Sequence, residues 1–170
     1  MALMTSATAV SVRQLGVADW ERLRDVRLRA LVDSPSSYYG TYDDEVRSDR
    51  SRWERWLSPP SPIFIAERND EVVGMIGAIP VGEDEGDTDA VMMVAMWVDP
   101  VARGNGIAEA LTDALIGWAR DEGYPRMVLW VYDVNPRAAA FYRRYGFADT
   151  GRTEVFDKDP RELHLMTLTL

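Results

Sequence analysis

The chain has 170 residues with 19 Lys+Arg against 28 Asp+Glu, a formal net charge of −9, no Cys and one His. Those counts exclude disulfides, a thiolate metal site, a Cys nucleophile and a His-rich zinc site. The acidic balance speaks against a nucleic-acid binder, which normally carries a basic excess. No apolar run reaches the roughly 18–20 residues that span a bilayer. The small, polar Met1–Val10 segment does not read as a signal peptide, so a cytoplasmic protein without a membrane partner is expected.

Residues 1–9 read as a flexible tail, and 10–170 as a single domain. Val10–Leu15 alternates apolar and polar residues, the period of a first strand. Asp19 opens a helix carrying Trp20, Leu23, Val26, Leu28 and Leu31, which Ser34-Pro35-Ser36 ends because proline lacks an N–H. A second, highly charged helix is predicted from about Thr41 to Leu57, with Thr41 and Asp44 as a loose capping box. Ile63–Glu67 and Val72–Ile79 read as strands around a turn at Arg68–Glu71. Gly82–Asp89 holds five acids in eight positions and reads as a solvated hairpin tip; it lacks the ligand ladder and closing Glu of a calcium loop.

Ala90–Val98 is nearly continuously apolar, as in a strand buried on both faces. Arg103-Gly104-Asn105-Gly106 then leads into a helix with Ile107, Leu111, Leu115 and Trp118 on one face. Gly123 and Pro125 close it, and Met127–Val131 is a short apolar strand. Asn135-Pro136 opens another helix with Asn as N-cap, which ends at Gly146. Two strands near Phe147–Thr153 and Leu163–Thr169 complete an α/β domain.

The junction from Val98 to Glu109 carries the chemistry. A helix start presents N–H groups without internal partners and the positive end of the macrodipole, and glycines let a ligand's oxygens approach them. Phosphate suits such a site, with Arg103 as a cation at its rim. A dinucleotide fingerprint fails, because the position of its third small residue is Glu109 and no early βαβ unit precedes it. A Walker A loop fails because no Gly-Lys-Ser/Thr follows.

Val98-Asp99-Pro100-Val101-Ala102-Arg103-Gly104-Asn105-Gly106-Ile107-Ala108 resembles the acetyl-coenzyme A loop of the GCN5-related N-acetyltransferase (GNAT) superfamily, whose Arg/Gln-x-x-Gly-x-Gly/Ala pattern is met by Arg103, Gly106 and Ala108. Asn135-Pro136-Arg137-Ala138-Ala139-Ala140-Phe141-Tyr142-Arg143-Arg144-Tyr145-Gly146-Phe147 is similar to a second motif of the same family. The resemblance implies a GNAT fold: a mixed, mostly antiparallel twisted sheet of six to seven strands, flanked by four helices and splayed at the central strands. It implies acetyl-CoA as cosubstrate, with the pyrophosphate held by N–H groups of Arg103, Gly104, Asn105, Gly106, Ile107 and Ala108. The strand edge at Met96, Trp97 and Val98 would pair with the pantetheine amides, and an N–H near Met96–Trp97 would polarise the thioester carbonyl. Asn135 and Ala138 would border the cofactor arm. Tyr142 would protonate the departing thiolate as general acid; from its helical spacing alone it reads as a packed aromatic. No metal is implied.

The implied activity is N-acetylation of a primary amine, by direct attack in a ternary complex because the chain has no Cys for an acyl-enzyme. The lone imidazole, His164, reads as a residue of the last strand. The alternative is a non-catalytic acyl-CoA-binding sensor module of the same fold. Ala90–Val98 holds no carboxylate, which leaves the general base open among Glu45, Glu67, Asp133 and a water chain. The acceptor pocket is expected from the first two helices and the strands after Thr150. There the tyrosines and acids of Asp33–Glu45 would suit a cationic small-molecule or peptide amine. Monomer and homodimer are both open.

Overall fold

A computed structural model describes residues 9–81, 89–156 and 159–170. Apart from Ala9, the expected tail lies outside the described residues, and so does the acidic segment except Asp89. The strands are β1 (Ser11–Gln14), β2 (Ile63–Arg68), β3 (Glu71–Pro80), β4 (Ala90–Val98), β5 (Arg126–Tyr132), β6 (Ala148–Phe156) and β7 (Asp159–Thr169). The helices are α1 (Trp20–Asp33), α2 (Tyr42–Glu45), α3 (Arg50–Trp56), α4 (Ile107–Asp121) and α5 (Pro136–Arg144). Among the described residues, no helix is long and apolar enough to cross a membrane.

The seven strands form one sheet in the order β1-β2-β3-β4-β5-β7-β6. All neighbours are antiparallel except β4 and β5, which pair in parallel from Ala90–Arg126 to Met92–Val128. The side-chain alternation of β2 and β3 feeds two cores. Ala66, Val73 and Ile76 pack towards Ile107, Leu111 and Leu115 of α4, whereas Ile65, Val72 and Met75 pack towards Leu23 and Val26 of α1 and Trp53 of α3. Each fully buried large aliphatic side chain contributes about 1.5–3 kcal/mol.

The single charged helix expected over Thr41–Leu57 is two. The Thr41 hydroxyl accepts from the Asp44 N–H at 3.3 Å and caps α2, which lasts one turn. Asp49 then leaves helical geometry and its carboxylate accepts from the Arg52 N–H at 3.1 Å, which starts α3 afresh. Among the described residues the sheet therefore carries five α-helices where four were expected. β4 is also less enclosed than its apolar run suggests: Ala90, Val91 and Met93 are buried, but Val94, Ala95, Met96 and Val98 are only partly covered, because β5 leaves its side.

Candidate active site

β4 follows β3 evenly until Val94, which faces Gly77; the next pair is Trp97 with Met75. Ala95 and Met96 therefore oppose Ile76 alone, a β-bulge in which Ala95 adopts φ +58°. A bulge bends its strand and increases local twist. β5 meanwhile stays in register with β7 along its length, from Arg126–Thr169 to Tyr132–Leu163. The two strands part after Met92, and a cleft of about 540 Å³ opens between them.

Its walls come chiefly from four elements. β4 supplies Met93–Val98, β5 supplies Leu129–Tyr132, the loop and first turn of α4 supply Arg103, Gly104, Gly106, Ile107, Ala108 and Glu109, and α5 supplies Ala138, Phe141 and Tyr142, with Asn135 before it and Ser34, Ser37 and Tyr38 after α1 joining the lining. Gly104 and Gly106 have φ +79° and +75°, the left-handed region that strains a side-chain-bearing residue, and the space where a Cβ would stand is open. A helix start with uncrowded N–H groups and the cations of Arg137 and Arg144 along the same cleft fits an extended anionic molecule.

Of the residues singled out in the sequence, Met96, Trp97, Val98, Arg103, Gly104, Gly106, Ile107, Ala108, Asn135, Ala138 and Tyr142 come together on this cleft. Asn105 does not: its side-chain amide donates to the carbonyls of Ala102 at 3.1 Å and Arg103 at 3.2 Å, so it braces the loop. Trp97 offers the cleft its main chain, since its indole packs in the α1 core and donates to Asp33 Oδ2 at 3.0 Å. Arg103 is engaged as well. Its Nε donates to the Val98 carbonyl at 2.9 Å and its guanidinium pairs with Asp33. Asn135 caps α5, accepting from the Ala138 N–H at 3.2 Å, and its amide reaches Ser37 Oγ at 3.4 Å.

Tyr142 is buried, with its ring edge-on to Phe141 at 5.5 Å and Phe147 at 5.7 Å. Burial pushes its phenol up to about 12, so it keeps its proton at neutral pH.

Spacing alone gave no sign of the braces behind the loop. Asp33, at the end of α1, gathers Trp97, Arg103 and Ser34 on one carboxylate, and these hydrogen bonds outweigh the opposing effect of its burial and hold it below the usual carboxylate range. Arg29 bridges the Val72 carbonyl at 2.9 Å and Asp99 at 2.5 Å. The Tyr38 hydroxyl donates to the Met96 carbonyl in the bulge at 2.8 Å.

A second cavity of similar size lies on the α1 side and shares Ser37, Tyr38, Met93–Ala95, Trp130 and Tyr132 with the first. Glu45 is its only carboxylate among the described residues, and Arg27 holds both its oxygens at 3.0 and 2.7 Å. Glu67 sits on β2 in ion pairs with Arg13 and Arg22, and Asp133 is exposed; neither borders either of these two cavities.

The family model for the acetyltransferase (GNAT) family matches residues 21–147. The chain belongs to that family. Human N-acetyltransferase 8B is 34% identical over 125 residues, which cover 72% of this chain and 54% of that protein. Human N-acetyltransferase 8 is 34% identical over 93 residues, 55% of this chain and 41% of that protein. The chain thus spans about half the length of these relatives. Among solved GNAT-like structures, the ribosomal-protein-alanine N-acetyltransferase of Brucella melitensis superposes with TM-score 0.78 at 24% identity, covering 94% of this chain and 99% of that one. The putative acetyltransferase yncA of Salmonella typhimurium, solved with its cofactor acetyl-CoA, gives TM-score 0.78 at 20% identity, with coverage of 96% and 95%. Acetyl-CoA is the cosubstrate of GNAT enzymes.

Proposed function

We propose that this GNAT domain transfers an acetyl group from acetyl-CoA to a primary amine by direct attack in a ternary complex. One observation carries the reading: the β4–β5 splay puts the glycine loop, the bulged edge of β4 and the Tyr142 phenol on a single cleft, with a second cavity sharing its wall. Bound acetyl-CoA would supply an activated thioester. The main-chain N–H groups of Gly104, Gly106, Ile107 and Ala108 would hold its phosphates, with Arg137 and Arg144 at the rim. Arg103 would act chiefly as a strut between Asp33 and Val98. The β4 edge from Met96 to Val98, left by β5, would orient the pantetheine amides, and an N–H beside the bulge would polarise the carbonyl. Tyr142, protonated at neutral pH, would donate to the leaving sulfur.

The base is a water chain in this reading. Glu45 is locked by Arg27, and Glu67 and Asp133 lie away from both cavities. Thiol release from acetyl-CoA against an amine panel tests the proposal. Tyr142→Phe is expected to lower kcat by about 10²-fold or more, the usual scale of general acid catalysis, while acetyl-CoA affinity measured by calorimetry stays within a few-fold of wild type. Acetyl-CoA binding with no thiol release for any amine would make the domain an acyl-CoA-binding module instead.

A further inference from the structure

The second cavity has a charge pattern that the acid-rich sequence around it does not suggest. Its aromatic walls are Tyr38, Tyr39, Trp56, Trp130, Tyr132 and Phe156. Its only charged lining groups among the described residues are Arg27, Glu45 and Arg52. Glu45 gives both oxygens to Arg27 and has Arg52 Nη2 at 3.6 Å from Oε1. No carboxylate is left for a cationic ligand, and one positive charge remains over.

That surplus sits on Arg52. Arg27 is 6% exposed and wedged between the rings of Tyr38 at 4.8 Å and Trp56 at 5.4 Å. Arg52 has a side chain 39% exposed, rests on Trp56 at 5.7 Å, and makes that one long ion pair. Most of its five donors are therefore available to a planar, bidentate anion, which guanidinium matches better than any other side chain. A polyamine would meet repulsion here in an otherwise acidic protein.

Tyr38 links the arginine pair to the β4 bulge. Its ring lies under the Arg27 guanidinium and its hydroxyl donates to the Met96 carbonyl at 2.8 Å, while Arg52 stands across Glu45 from Arg27.

We propose that the acceptor is a primary amine that also carries a carboxylate, the two separated by an apolar body. The carboxylate docks on Arg52, the body lies between the aromatic walls, and the amine faces the bulge. The proposal rests on the acetyltransferase reading above.

Thiol release should be compared for 4-(aminomethyl)benzoate against benzylamine, and for spermidine. The expected result is a kcat/KM at least tenfold higher for 4-(aminomethyl)benzoate than for benzylamine, with spermidine poorest. Arg52→Gln, with its melting temperature recorded to establish folding, should collapse that ratio at least fivefold through KM. Equal or better turnover of benzylamine or spermidine would overturn the acceptor class while leaving the transferase reading intact, as would an unchanged ratio in a folded Arg52→Gln protein. Thiol release with none of the amines, in a protein that binds acetyl-CoA, would remove both.

Discussion

Arg27 and Glu45 are buried together, and their two hydrogen bonds are each partner's main compensation for leaving water. Gly40 belongs to the same arrangement, since a Cβ there would stand 2.2 Å from Glu45 Oε1. Removing one charge leaves the other buried without a counter-ion, which costs about 3–5 kcal/mol. Glu45→Gln should therefore lower the melting temperature by roughly 6–20 °C in a domain of this size, read by circular dichroism. The pH dependence of turnover follows from Tyr142 and the proposed water chain. With Tyr142 held near 12 and the amine's proton passed to water, no side chain is assigned a proton exchange between pH 6 and 9. In a series of amines, kcat/KM should rise tenfold per pH unit up to each amine's own pKa. A common break near pH 6–7 for all amines would instead reveal an enzymic base. The cap at Asn135 and the turn at Gly106 were legible because chain-local chemistry fixes them, whereas Tyr142 stood out only through its place in a family-like motif. The Asp33 contacts to Trp97 and Arg103 were not, because they join residues 64 and 70 positions apart.

β4 is the element on which the site depends, and Gly74 of β3 is what lets it lie close. A Cβ at Gly74 would stand 2.9 Å from the Trp97 carbonyl oxygen and 3.0 Å from Leu111 Cδ1. A main-chain carbonyl paired in a sheet cannot swing aside, so Gly74→Ala should push β4 away from β3 and α4. The expected cost is about 1–3 kcal/mol, as for other overpacked cores, with a raised KM for acetyl-CoA. Urea denaturation and initial-rate kinetics would measure the two effects, and an unchanged KM in a destabilised protein would place the strain outside the cleft. The apolar run of β4 announced the strand but hid the bulge, because no residue type marks a position where Ala95 takes a positive φ. The helix after Gly40 was misjudged for a related reason. Charged residues continue through Ser48-Asp49, and only the capping hydrogen bond of Asp49 shows that one helix has ended and another begun.

Across the whole molecule, the order of strands and helices follows from hydrophobic period and turn residues, which is why the sheet and its two faces were legible. The cavity on the α1 side was anticipated in place but not in charge, since local sequence shows acids while the fold brings Arg27 and Arg52 against one of them. The two cavities share a wall yet lie against different helices, α4 and α5 for one and α1 to α3 for the other. Under the proposed function, donor and acceptor would therefore need no common doorway. In kinetic terms, either would be able to occupy the free protein first, and spent coenzyme would coexist with an unreacted amine in a dead-end complex. Free CoA should then raise the apparent KM for acetyl-CoA without changing the limiting rate, but depress the limiting rate when the amine is varied. The amine should also bind the free protein in a calorimeter; strict dependence on prior acetyl-CoA binding would show that one path must be built before the other opens.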